Sequence, residues 1–242
     1  MNIYLKIFNT EQEYNTYSGG TGFVTPNVSY IVSGDTIKYD NNEIKYYTED
    51  SWLEAIPQTA YTASTFDMMY AVKKIDIPSG VTSINNYAFT TYRNLEKVTI
   101  PDSVTSIGIE AFGGCSGLTS VNIPSGVTGI SRLAFDGCRS LTSIDLPSGL
   151  TSISDNAFLG CRSLTSIDIP SGVTSIGDYA FSSCSGLTSI TVNATTPPTL
   201  GENVFNNTNN CPIYVPSESV ETYKAASGWS SYASRIQAIQ NN

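Results

Sequence analysis

A solenoid of stacked coils is the fold class that this sequence predicts. One observation is phenylalanine at every twenty-third position, at Phe89, Phe112, Phe135, Phe158 and Phe181. Two further observations are the same interval in proline and in cysteine, at Pro78, Pro101, Pro124, Pro147, Pro170, Cys115, Cys138, Cys161 and Cys184. A fixed period in this range is the signature of repeat architectures, in which each unit packs on its neighbours. Five copies therefore form one array from Pro78 to Val192.

The unit from Pro170 to Val192 predicts how each coil folds. Eight of its positions are small or apolar in every copy, with Tyr92 as the one replacement for cysteine: Val173, Ile176, Ala180, Phe181, Cys184, Leu187, Ile190 and Val192. The alternation over residues 187–192 predicts a strand with its apolar side chains inward. Residues 173–176 predict a second short strand, entered from a Pro-Ser-Gly turn. Residues 178–181 predict a single helical or 3₁₀ turn.

The repeat resembles a known family. Its strand segment matches the leucine-rich repeat core L-x-x-L-x-L, and the string IPSGVTSIGDYAF resembles the BspA-like subfamily of bacterial surface leucine-rich repeats, of the Bacteroidetes type. The asparagine or cysteine that follows the strand in ordinary leucine-rich repeats is replaced by the Pro-Ser-Gly turn. The resemblance implies leucine-rich-repeat-like stacked coils of short β-strands, and because of this replacement the ordinary horseshoe curvature is not assumed.

Weaker copies extend the array at both ends. Phe66, Ile75 and Ile77 lie one period before Phe89, Val98 and Ile100, and Met69 takes the cysteine position. Ile213 and Val215 keep the register of Ile190 and Val192, whereas Phe205 comes one residue late and indicates an insertion. We expect three parts: an N-terminal α+β or mostly β module and cap over 1–54, a solenoid of about seven coils over 55–216, roughly 34 Å long at about 4.8 Å per coil, and a C-terminal helical cap over 217–242.

Both flanking parts contain local signals. Residues 3–8 predict a strand, 11–17 a short helix, and 28–32 with 36–39 a hairpin around Ser33-Gly34-Asp35. After Pro216, a serine followed by acidic residues predicts a helix start. Gly228 is its predicted end, and residues 235–239 predict a last strand.

Composition excludes several functions. The chain contains no histidine, which removes the commonest general base and histidine-based metal sites. Its net charge of −9 disfavours nucleic acid as a partner. No apolar run approaches the ~20 residues of a membrane span, and the chain as given begins without a secretory signal peptide. We therefore expect no enzyme, no cofactor and no metal. The family resemblance implies a location at the cell surface or outside the cell, and the absence of a signal peptide from the chain as given favours the alternative of a virion.

Two repeated columns could carry chemistry. Asp145 and Asp168 lie on neighbouring coils, with Cα atoms predicted about 4.8 Å apart. That spacing suits a retaining glycosidase or a calcium pair, but repetition of solvated acids explains it better, as for Asp155 and Asp178. The cysteine column has disulfide spacing, yet parallel side chains in an apolar column favour buried thiols. The state of Cys211, which is out of register, stays open.

The outward columns of the main strands are the predicted binding surface, basic at one end and hydroxyl-rich or acidic beyond it. The candidate residues are Lys74, Lys97, Thr99, Asn122, Asp145, Asp168 and Thr191. Arg139 and Arg162 form a further column on the turn side, where we expect solvated charges. Two functions follow from this surface. One is a module that binds a protein or glycan in adhesion or host contact, as the family resemblance implies, and the alternative is an attachment component of a phage tail or another surface assembly.

Overall fold

A computed structural model of the chain describes residues 3–8, 36–40, 43–48, 51–52, 72–77 and 81–240. Its first strands are β1 (Ile3–Phe8), β2 (Thr36–Asp40), β3 (Glu43–Thr48), β4 (Ser51–Trp52) and β5 (Val72–Asp76). β1 pairs in parallel with both β2 and β5, so it lies against the first strand of the array. The strand predicted over residues 3–8 is confirmed.

The second half of the predicted hairpin is also a strand, but its partner differs. β2 pairs antiparallel with β3, across residues 41–42. Residues 28–32, the predicted partner, lie outside the described residues, as do the turn at 33–35 and the helix predicted over 11–17.

Stacked coils with parallel strands follow over the described residues from β5 to residue 216, and this confirms the predicted solenoid. The main strands that follow β5 are β7 (Lys97–Thr99), β9 (Ser120–Asn122), β11 (Ser143–Asp145), β13 (Ser166–Ile169), β15 (Ser189–Val192) and β17 (Ile213–Val215). The second short strand of each coil gives β6 (Ser83–Ile84), β8 (Ser106–Ile107), β10 (Gly129–Ile130), β12 (Ser152–Ile153), β14 (Ser175–Ile176) and β16 (Thr199–Leu200). Ile176 pairs with Leu200, one position beyond the regular period, which confirms the insertion before Phe205.

The repeated apolar columns make one continuous core. The phenylalanine rings stack along the solenoid axis, with neighbouring centroids 5.2 to 5.9 Å apart from Phe89 to Phe205. The alanine, leucine and isoleucine columns beside them are buried as well. Because each side chain packs on its equivalent in the next coil, a coil is stabilised by its neighbours rather than by itself.

The turn at 178–181 is a series of β-turns rather than a helical turn. Tyr179 and Ser183 have left-handed φ angles of 55° and 60°. The N–H groups of Ala180, Ser182 and Cys184 donate to carbonyls three residues earlier in the same coil. The alternate N–H groups of Tyr179, Phe181 and Ser183 donate to carbonyls of the next coil. The backbone of the turn is therefore satisfied both within its coil and between coils.

The C-terminal segment continues the register of the array. It contains a 3₁₀ helix (Ser217–Ser219), α1 (Val220–Ala225), a second 3₁₀ helix (Trp229–Arg235) and β18 (Ile236–Ala238). The strand predicted over 235–239 is confirmed, whereas α1 ends at Ala225 and Gly228, with φ of 79°, leads into the second 3₁₀ helix.

Trp229 extends the phenylalanine column. It follows Phe205 at one position more than the regular period and packs on it with a centroid distance of 5.8 Å. The Trp229 indole donates to the carbonyl of Pro198 at 2.8 Å, and the side chain is fully buried. By the same offset, Tyr232 follows Thr208 in the cysteine column and Arg235 follows Cys211 in the leucine column. The cap is thus a last coil whose large side chains close the core.

The cysteine column consists of buried free thiols, as predicted. Cys115, Cys138, Cys161 and Cys184 each donate a hydrogen bond from Sγ to the carbonyl of a phenylalanine in the preceding coil, at 3.0 to 3.3 Å. Cys211 is also a free, buried thiol. It takes the leucine position, and the Arg235 guanidinium lies beside its sulfur.

We expect these thiols to resist alkylation in the native protein. Burial raises the pKa of Cys115, Cys138 and Cys161 well above the ordinary thiol value, and that of Cys211 more moderately, so little reactive thiolate exists at neutral pH. Mass spectrometry after iodoacetamide treatment should find these cysteines unmodified in the native protein and fully modified in guanidinium chloride. Rapid modification of a column cysteine without denaturant would contradict the packing described here.

Candidate functional site

The outward columns of the main strands form one continuous surface, which we call the sheet face. It comprises Lys74, Asp76, Lys97, Thr99, Ser120, Asn122, Ser143, Asp145, Ser166, Asp168, Ser189 and Thr191. Strand pairing places Lys74 beside Lys97, Ser120 beside Ser143, and Ser166 beside Ser189, all in parallel register. Inward residues between them, such as Val121 and Ile144, are buried. The two columns therefore lie on the same side of the sheet, as the period of 2 in a strand requires.

The basic end of the sheet face is internally paired. Lys74 Nζ lies 2.7 Å from Asp76 Oδ2. Burial by itself would raise the pKa of Asp76, but hydrogen bonds from Lys74 and Thr99 and the charges of Lys74 and Lys97 outweigh it and hold the pKa below its usual value. Asp76 is thus a carboxylate that neutralises much of the positive charge expected here. Lys74 and Thr99 have less capacity for a ligand than their residue types suggest.

The middle of the sheet face has uncommitted polar groups. Asn122 and Asp145 are exposed, and within the described ranges their side chains have no hydrogen-bond partner in the protein. The same holds for the hydroxyls of Ser120, Ser143 and Ser166. These five residues, which we call the central patch, present hydroxyl, amide and carboxylate groups on adjacent strands. They can donate and accept hydrogen bonds to a ligand without breaking any bond inside the protein.

At the acidic end the sheet is interrupted. β11 ends one sheet and β13 begins another, although the two strands remain in contact. Asp145 and Asp168 both line a groove of ≈ 350 Å³ at this junction, with Leu146 and Asn193. Both aspartates are exposed, and Asp168 accepts a hydrogen bond from the Asn193 side chain. No residue pattern indicates this interruption, since the strand segments of both coils are alike in sequence.

Exposed threonines differ from the serines of the sheet face. In the column of Thr119, Thr142, Thr165 and Thr188, each hydroxyl donates to the carbonyl of the preceding coil, at 3.0 to 3.3 Å. The same carbonyl accepts the backbone N–H of that threonine. A second column, on the side of the short strands, repeats this bond at Thr105, Thr151, Thr174 and Thr199. These hydroxyls stabilise the stack, so their columns are weaker candidates for recognition.

Asp155 and Asp178 also have a structural role, and they are not simply solvated acids. Asp155 Oδ1 accepts the backbone N–H of Asp178 at 2.9 Å, and Asp178 Oδ1 accepts that of Glu202 at 2.7 Å. Asn86 makes the same bond to Ile109. Each side chain thereby satisfies an amide of the next coil. Arg139 and Arg162, on the turn side, are exposed as predicted.

No group of three or more cysteine, aspartate or glutamate side chains among the described residues is placed to hold a metal ion.

The binding residues predicted from the sequence differ in whether their side chains already have partners in the protein. Lys74 and Thr99 are engaged with Asp76, and Asp168 with Asn193. Asn122, Asp145 and Thr191 keep side chains without a described partner. The serines of the central patch, absent from the candidate set, could have been found only by knowing which hydroxyls the backbone uses.

Comparison with known proteins agrees with this architecture. The family model of the BspA type leucine-rich repeat region matches residues 59–161 and 107–227. The chain belongs to the BspA-type leucine-rich repeat family. A leucine-rich repeat protein of T. pallidum (TpLRR) is 30% identical over 59% of this chain and 68% of its own, with a TM-score of 0.54.

Two further solved structures match this family member at lower identity. A leucine-rich repeat protein of Bacteroides ovatus is 21% identical over 90% of this chain and 77% of its own, with a TM-score of 0.38. A leucine-rich cell surface protein of Faecalibacterium prausnitzii is 24% identical over 74% of this chain and 66% of its own, with a TM-score of 0.35. The search of curated proteins gave no match. Within the described residues, no helix has the length and apolar character needed to cross a bilayer.

Proposed function

We propose that this BspA-type protein is a non-enzymatic binding module of the cell surface, and that the sheet face recognises a protein or glycan ligand. Repeat proteins of this kind offer long surfaces rather than closed cavities. The family assignment supports recognition as the general role. The observation that carries the proposal is the central patch, where polar groups stand uncommitted while the threonine columns and the basic end are used internally.

The environment of the acids argues for binding rather than catalysis. Catalytic carboxylates are commonly set in desolvated clefts that shift their pKa. Asp145 and Asp168 are instead exposed in an open groove, and Asp168 is already hydrogen-bonded to Asn193. Such carboxylates suit polar contacts to a ligand. Ligands with several hydroxyl or amide groups match the alternation of serine, asparagine and aspartate on adjacent strands.

A glycan and protein array, followed by titration of each hit, tests this function. We expect the double variant Asn122→Lys with Asp145→Lys to weaken binding of a hit roughly tenfold or more, since it replaces uncommitted contact groups in the centre of the patch by long cations. The matched control is Asp102→Lys with Ser125→Lys, which changes the net charge by the same amount. Both residues are exposed in the turns that follow the main strands, outside the sheet face. Equal binding by the patch variant, with an unchanged melting temperature, would rule out the sheet face as the recognition surface.

A further inference from the structure

The β-turns of successive coils are joined by backbone hydrogen bonds, and the last turn of this series, at the C-terminal side of the molecule, has a backbone N–H without an acceptor in the next coil. In five coils, the N–H of the second left-handed residue donates to a carbonyl of the next coil, at 2.6 to 2.8 Å. The equivalent residue of the sixth coil is Asn207, with φ of 57°. The next segment there is the 3₁₀ helix Trp229–Arg235 rather than another β-turn. Among the described residues, no group accepts a hydrogen bond from the N–H of Asn207.

A polar pocket lies at this point. Its volume is ≈ 520 Å³, and Asn206, Asn207 and Asn210 line it together with Ser231 and Ser234 of the last coil. All five side chains are exposed at the rim, and no aspartate or glutamate is part of the lining. Within the described part of the chain, none of these side chains has a hydrogen-bond partner in the protein. The pocket is therefore rich in donors and free of acidic groups in a chain whose net charge is −9.

Arg235 gives the pocket a fixed positive charge. Its guanidinium donates to the carbonyls of Cys211 and Phe205 and to Thr208 Oγ1, at 2.8, 3.3 and 2.9 Å. Nη2 also lies 3.6 Å from Cys211 Sγ. All these partners are uncharged atoms, and no carboxylate of the described residues forms an ion pair with Arg235. The cation is thus held rigidly in the pocket wall without a counter-charge.

We propose that this pocket binds the carboxylate of an acidic sugar. A carboxylate oxygen would accept the Asn207 N–H in place of the carbonyl that the next coil supplies elsewhere, and the Arg235 charge favours an anion. The three asparagine amides and two serine hydroxyls can exchange hydrogen bonds with sugar hydroxyls. This site lies on the turn side of the last coils, and it does not depend on the sheet face.

Titration of the full chain with glucuronate, followed by ¹H–¹⁵N NMR, tests the proposal. We expect a saturable shift of the Asn207 amide, and binding of glucose, the neutral match, at least roughly tenfold weaker. Lactate, a monocarboxylate of the same charge without the sugar ring, should also bind more weakly. Absence of a saturable shift with glucuronate would overturn the site, and equal binding of lactate would overturn its assignment to a sugar acid.

A matched pair of variants locates the site. Asn206→Asp with Asn210→Asp keeps the side-chain shape but adds two negative charges to the pocket, and it should weaken glucuronate binding about tenfold or more. Asn156→Asp makes one such substitution, in a turn of an inner coil, and should leave binding unchanged. Glucuronate binding by the double variant at the wild-type level would contradict the proposal. The sheet-face variants serve as a second control, because they leave this pocket intact.

Discussion

Replacement of Phe158 by alanine should lower the free energy of unfolding by about 3–5 kcal/mol, the range for removal of a buried aromatic side chain. Phe158 is fully buried between Phe135 and Phe181, at centroid distances of 5.5 and 5.2 Å. The alanine variant leaves a cavity that both neighbouring rings border, and only the two adjacent coils contact the coil of Phe158 and could relax into that cavity. Chemical denaturation measures the loss.

Phe158→Leu is the control for this prediction, since it retains much of the volume and should destabilise the protein less than the alanine variant. Hydrogen exchange should place the loss of protection in the coils around Phe158, because each coil contacts only its neighbours. A loss of less than about 1 kcal/mol for Phe158→Ala, well below the usual range, would contradict the stacked column as the main source of stability.

Replacement of Gly177 by serine should cost about 1–3 kcal/mol through overpacking. A Cβ at Gly177 would lie 2.3 Å from Asp155 Oδ1 and 2.5 Å from the Asp155 backbone nitrogen. The same arrangement occurs where Asn86 faces Gly108 and where Asp178 faces Gly201. In two other pairs of neighbouring coils, the residue equivalent to Asp155 is neither aspartate nor asparagine, and the residue equivalent to Gly177 is then serine. These pairs are Ile109 with Ser131, and Arg132 with Ser154.

The neighbouring junctions supply the compensating change. Asp155→Arg with Gly177→Ser reproduces the pair Arg132 and Ser154, so the double variant should recover part of the stability lost by Gly177→Ser alone, because it removes the contact with Asp155 Oδ1 while the contact with the backbone nitrogen remains. Gly149→Ser is the control, because the nearest atom to a Cβ there is 3.7 Å away and the equivalent Ser103 already carries a side chain. Strictly additive effects of the two substitutions would mean that Asp155 does not determine the requirement for glycine.

The repeat period made the fold predictable because a solenoid repeats its packing with its sequence. Phe89 to Phe181 mark the core column directly, and the spacing also marks Trp229, once an interval one residue longer than the period is accepted. The backbone conformation of the turns was harder to predict from the sequence. The first residue with a left-handed φ in each turn is Glu110, Leu133 or Tyr179 in three of the coils, and these residue types have no intrinsic preference for that conformation. Hydrogen bonds to the next coil impose it.

The candidate site was predictable as a surface but not as a set of available groups. Strand alternation places Ser143 and Asp145 outward, as the structure has them. It does not separate Ser143, with an uncommitted hydroxyl, from Thr142, whose hydroxyl donates to a backbone carbonyl. It also cannot show that Asn193 binds Asp168 or that the sheet is interrupted there. Those properties depend on distances between atoms of neighbouring coils, and these distances cannot be predicted from the repeat period.

Among the described coils, Tyr92 and Tyr232 occupy the first and last places of the cysteine column, and their rings meet Phe89 and Phe205 edge-on. From Cys115 to Cys184 the coils present the same columns on both sides, so one repeat unit can be copied or removed there without changing either end. The protein therefore has the properties of an adjustable spacer. Each added coil would lengthen the sheet face by about 4.8 Å and would move the C-terminal pocket away from the N-terminal strands by the same step.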